Sequence, residues 1–146
     1  MNDINFNQLK NDFDTEGISR EISSFSRQIR ESFSITEDCY IQNEDNFKNI
    51  SKEISSVLIC GMGGSAIGGD IARAALFEYT KVPIIVNRSA SIPNWANEQT
   101  LVLISSYSGN TYETISAYNQ ARLKTNKLIV LSSDSGLLSK YCIEYS

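Results

Sequence analysis

Three hydroxyl side chains, Ser106, Ser108 and Thr111, fall within six residues of the segment SSYSGNT, together with Gly109. Hydroxyls donate hydrogen bonds without carrying charge, so a cluster of them suits the oxygens of a bound oxyanion. A second segment, VLICGMGGSAIGGD at residues 57–70, holds five of the chain's eight glycines together with Ser65. It runs from an apolar stretch through small residues into a helix-forming one. A glycine-rich loop between the end of a parallel strand and the start of a helix aims backbone N–H groups at one point. The helix dipole adds about half a positive charge there. The favoured ligand is an anion, and phosphate is the commonest.

Known phosphate motifs narrow the choice. A P-loop requires GxxxxGK[ST]; Gly63 and Gly68 have the spacing, but Gly69 stands where lysine belongs, and the motif fails. Gly61, Gly63 and Ala66 satisfy the weaker dinucleotide pattern GxGxxA, yet the next expected strand ends in Asn87 and Arg88 rather than in an acid. Arg88 could serve a 2′-phosphate, which keeps an NADP-dependent oxidoreductase as a minor reading; its plain alternative is a solvated charge. Two further plain readings are a glycine turn that only packs a helix on a sheet, and a Thr111 that only caps one. Two such loops, following two strands of one sheet, favour a shared hydroxyl-lined cradle for a phosphate monoester.

The elements that must position these loops can be read from periodicity. Ile18, Ile22, Phe25, Ile29 and Phe33 form one apolar stripe, predicting a helix over 16–34, with a poorer helical stretch over 41–51. From residue 56 the pattern becomes strand and helix in alternation. Strands are expected over 57–60, 82–86, 101–104 and 128–131, with helices over 66–79 and 113–124 and a last one near Gly136. The continuous apolar runs suit strands buried on both faces, and the order predicts a parallel α/β sheet. Residues 1–55 are expected to form a helical segment packed on a domain of residues 56–146.

Composition removes other classes. The 146 residues carry a net charge of −4 and no basic block, against a nucleic-acid or anionic-membrane surface. No apolar run reaches the length of a membrane span, and MNDINFNQLK does not read as a signal peptide. Cys39, Cys60 and Cys142 form no CxxC and suit reduced thiols in a cytoplasm; Cys60 reads as a small buried hydrophobe. There is no histidine, the commonest zinc ligand and general base. Neither a metal nor a cofactor is expected.

GMGGSAIGGD followed by SSYSGNTYET resembles the sugar-isomerase (SIS) domain, and more narrowly the bifunctional phosphoglucose/phosphomannose isomerase family. FDTEGISREISSFSRQIRES, VPIIVNR and SSDSGLLSK extend the likeness over residues 13–138. The resemblance implies a parallel-sheet SIS fold, flavodoxin-like and Rossmann-type, with helices on both faces and an N-terminal helical extension. It implies that Gly64 and Ser65 lie at the sugar-phosphate site, that Ser106, Ser108 and Thr111 bind phosphate oxygens, and that Gly109 and Asn110 shape their loop. The implied ligand is a hexose 6-phosphate and the implied chemistry aldose–ketose isomerisation. Glucose or mannose 6-phosphate would pass to fructose 6-phosphate through an enediol, in glycolysis or gluconeogenesis and within a homodimer.

Where the family often has two glycines after the fourth strand, this chain has Asp134, Ser135 and Gly136, a change expected to alter a turn only. The family's base and ring-opening histidine come from later sequence, so the chain is expected to be an N-terminal half, truncated and inactive alone. None of Glu98, Glu113 and Glu144 is expected to be catalytic. A non-catalytic sugar-phosphate sensor is the alternative function.

Overall fold

A computed structural model describes residues 6–133 and 135–144, and the chain divides into two compact units, Met1–Asp45 and Asn46–Ser146. The first contains α1 (Phe6–Phe13) and α2 (Ile18–Gln42). α2 runs eight residues past the expected end at 34, because the stripe lapses only for one turn. Thr36 and Glu37 are polar, and Tyr40 resumes the apolar positions seven residues after Phe33. At its start, the Asp14 carboxylate accepts the N–H groups of Ile18 at 2.6 Å and Ser19 at 3.0 Å, giving the helix end the partners that Gly17 cannot supply.

α3 (Glu44–Ile50) precedes the strand-and-helix alternation: β1 (Ser56–Gly61), α4 (Gly63–Ala75), β2 (Ile84–Asn87), β3 (Thr100–Ser106), α5 (Tyr112–Ala121), β4 (Leu128–Ser132) and α6 (Leu137–Glu144). The four strands form one all-parallel sheet in the order β2-β1-β3-β4. Strand periodicity of two assigns the faces. Leu58 and Cys60 of β1 and Val102 and Ile104 of β3 are buried in one cluster with Ala117, Tyr118 and Ala121 of α5 and Leu138 of α6. Ile59, one residue out of phase, turns to the other face, where a Cβ on Gly69 of α4 would come within 2.9 Å of its Cγ2. Helices therefore cover both faces, as expected of this class.

Two of the boundaries that differ from the sequence reading have a visible cause. β2 begins at Ile84 because Val82 is spent in a turn, exchanging hydrogen bonds with the Thr80 hydroxyl. α4 begins at Gly63, three residues before the expected start at 66, so Gly63 and Gly64 belong to the helix rather than to a loop. Glycine costs about 1 kcal/mol against alanine inside a helix, which is why propensity placed the start later. At Gly69 the missing side chain is what lets the helix lie against Ile59 and Val86.

Candidate functional site

Register fixes where the two motif segments emerge. Gly61, ending β1, pairs with Ser105, and Ser106, ending β3, pairs with Ser132, ending β4. All three strands therefore finish at one edge of the sheet. Gly64, Ser65, Ser106, Ser108 and Thr111 line a single cleft there of about 510 Å³, together with Met62, Ser105 and Tyr107. At the start of α4, the Ser65 and Ala66 N–H groups reach the Met62 carbonyl at 3.0 and 3.3 Å. The amides of Gly63 and Gly64 precede the first of these bonds and have no acceptor within the helix.

Thr111 occupies the N-cap of α5, but its side chain makes no capping hydrogen bond. Instead its Oγ1 accepts from Ser106 Oγ at 3.3 Å and lies 3.4 Å from Ser108 Oγ. These are long contacts, so three hydroxyls hold one another loosely beside two helix N-termini. Among the described residues no lysine or arginine lines the cleft. Any anion there meets hydroxyls, backbone amides and helix dipoles rather than a full positive charge. A larger concavity of about 750 Å³ adjoins Arg122, Leu128 and Cys142. It lies at the C-terminal end of α5, where carbonyl dipoles disfavour an anion.

No protein-family model matches the chain. Over 95 residues it is 45% identical to the bifunctional phosphoglucose/phosphomannose isomerase of Caldicellulosiruptor bescii, a match covering 62% of this chain and 28% of that protein. The isomerase of the same description from Aquifex aeolicus is 29% identical over 116 residues, covering 77% of this chain and 36% of the relative. This stretch resembles the bifunctional phosphoglucose/phosphomannose isomerases. The matched segments span about a third of the length of these two relatives. Among solved structures, tagatose-6-phosphate ketose/aldose isomerase from Escherichia coli aligns with a TM-score of 0.60 at 22% identity, over 77% of this chain and 33% of the other. That likeness shows a shared fold.

The charged groups Arg88, Glu98 and Glu113, which the sequence brought forward, do not line the cleft. Arg88 forms an ion pair with Asp70 of α4, which also meets Arg73 at 3.4 Å. Glu98 precedes β3, at the end of the sheet remote from the cleft, and Glu113 lies in the first turn of α5, where a carboxylate complements the dipole. Asp134, part of the departure from the family pattern, lies outside the described residues. Sequence reasoning passed over Met62, Ser105 and Tyr107, although each adjoins or lies between residues it singled out.

Cys60 is buried directly before the glycine segment; burial pushes its thiol above the ordinary value, against a smaller opposing effect of the Asn87 hydrogen bond. The thiolate is the reactive form, so Cys60 should resist alkylation in the folded chain while the exposed Cys39 reacts. Mass mapping after brief iodoacetamide treatment at pH 8 should find the label on Cys39 and not on Cys60. Equal labelling of both would contradict the buried assignment.

Proposed function

We propose that this chain is the sugar-phosphate-binding lobe of an aldose–ketose isomerase, and that it holds a hexose 6-phosphate by its phosphate in the cleft between α4 and α5. The observation that carries this reading is Thr111. A threonine at an N-cap that leaves its helix uncapped and turns its hydroxyl to Ser106 and Ser108 is placed for an external acceptor. The amides of Gly63 and Gly64 and the two helix N-termini add the electrostatic part. The relatives' description as phosphoglucose/phosphomannose isomerases supplies the sugar: glucose or mannose 6-phosphate, interconverted with fructose 6-phosphate.

In that reaction a proton moves between C1 and C2 through an enediol, at the end of the sugar away from the phosphate. The lobe anchors the substrate and so fixes where C1 and C2 lie. Acid–base work on those carbons requires a positioned group, and these 146 residues contain no histidine. We assign no catalytic residue among them. The 146-residue chain is therefore expected to bind without turnover.

Titration calorimetry should give saturable binding of fructose 6-phosphate and none of fructose, since the phosphate is the recognised group. A coupled assay on the same sample should show no conversion to glucose 6-phosphate. Equal responses to fructose and fructose 6-phosphate would sink the phosphate-anchoring reading, and turnover would sink the division between binding and chemistry.

A further inference from the structure

We infer that Gly136, outside the cleft, is a positioning residue for the hydroxyl-bearing segment 106–111, because its backbone sits directly against that of Gly109. The inference rests on the reading of the cleft as a phosphate site, and extends it to a residue that touches no ligand. A Cβ on Gly136 would lie 2.5 Å from Gly109 Cα, 2.5 Å from the Ser108 carbonyl oxygen and 2.9 Å from the Gly109 carbonyl carbon. All three are main-chain atoms, with no flexible side chain to swing aside. Gly109 itself is at φ +63°, and a Cβ there would fall 2.6 Å from Ser132 Oγ. The two glycines form a backbone-to-backbone seam between the segments that follow β3 and β4.

Hydrogen bonds close the seam on both sides. Leu138 N–H donates to the Gly109 carbonyl at 3.1 Å, Ser133 N–H to the Tyr107 carbonyl at 3.2 Å, and Leu137 N–H to Asn110 Oδ1 at 3.0 Å. The far side is anchored, because Leu138, in the first turn of α6, is fully buried in the core. An added methyl at Gly136 therefore cannot be relieved cheaply by moving α6. The strain falls on Ser108 and Gly109, and through them on the Ser108 and Thr111 hydroxyls. The φ of Gly136 lies outside the left-handed region, so alanine there is opposed by contact and not by its own backbone.

The test compares Gly136→Ala with Ile92→Val, a core change at a buried residue away from the seam that serves as the control for lost stability. Two readouts are taken on the 146-residue chain: amide 1H–15N shifts without ligand, and fructose 6-phosphate affinity by calorimetry. Gly136→Ala should move the amides of Ser108 to Tyr112 and weaken binding roughly ten- to hundredfold, the scale of one lost hydrogen bond to a charged group. Ile92→Val should do neither. Unmoved amides at 108–112, or affinity loss equal to that of Ile92→Val, would overturn the inference. If the unmodified chain does not bind fructose 6-phosphate, the function reading fails while the ligand-free shifts still decide the seam. Should Gly136→Ala not fold, Asn110→Ala loosens the same seam by deleting the acceptor of Leu137 N–H. Faster hydrogen exchange at Leu137 and Leu138 than in the unmodified chain would support the seam, and unchanged exchange would overturn it.

Discussion

Ser106→Ala combined with Thr111→Val is expected to abolish measurable fructose 6-phosphate binding while leaving the fold intact. A hydrogen bond to a charged group contributes about 1.5–3 kcal/mol, so losing two costs roughly 3–6 kcal/mol. At about 1.4 kcal/mol per decade, that is roughly a hundred- to ten-thousandfold in affinity. Stability should change little, for two reasons. Thr111 makes no capping bond to lose, and valine keeps its shape. Ser106 Oγ and Thr111 Oγ1 are partners, so removing both leaves neither orphaned, and Ser108, which also meets Thr111, is exposed and keeps the Asn110 N–H. Calorimetry and a thermal melt on the same sample check this. An affinity within about threefold of the unmodified chain would contradict the assignment.

The largest stability effect should come from Leu58→Ala. Leu58 is fully buried on β1, a central strand, where it pairs with Ile85 on one side and Val102 on the other. Its side chain lies in the cluster with Ala117 and Leu138, so truncation leaves a cavity where the sheet packs against α5 and α6. Such changes cost about 2–5 kcal/mol. Urea unfolding should show a lower midpoint at an unchanged slope. Leu131, on β4 and 54% exposed, is the internal comparison; the same truncation there should stay within about 1 kcal/mol. Equal costs at the two positions would mean that the core has been misplaced.

These expectations draw on features that the sequence made legible to different degrees. The strands were readable because their apolar runs are continuous, although only β1 is buried nearly throughout and Leu131 of β4 is exposed, and the cleft residues because hydroxyls and glycines cluster after two of those runs. The start of α4 was not readable. Helix propensity counts glycine as a breaker, whereas Gly63 and Gly64 form the first turn of this helix, where the amides need no partner within the helix. The full length of α2 was obscured by the polar pair Thr36 and Glu37, where the apolar stripe of Ile18 to Phe33 breaks. The Gly109–Gly136 seam was invisible for a deeper reason. It joins residues 27 positions apart through atoms that carry no side-chain signal at all.

The central claim is that one phosphate sits between the N-termini of α4 and α5, and amide shift mapping addresses it most directly. On titration of the 15N-labelled chain with fructose 6-phosphate, the largest changes should fall on the amides of Gly63, Gly64, Ser108, Tyr112 and Glu113, and they should saturate together. Those amides remaining still at ligand saturation, with the changes gathered instead around residues 122–126, would contradict it.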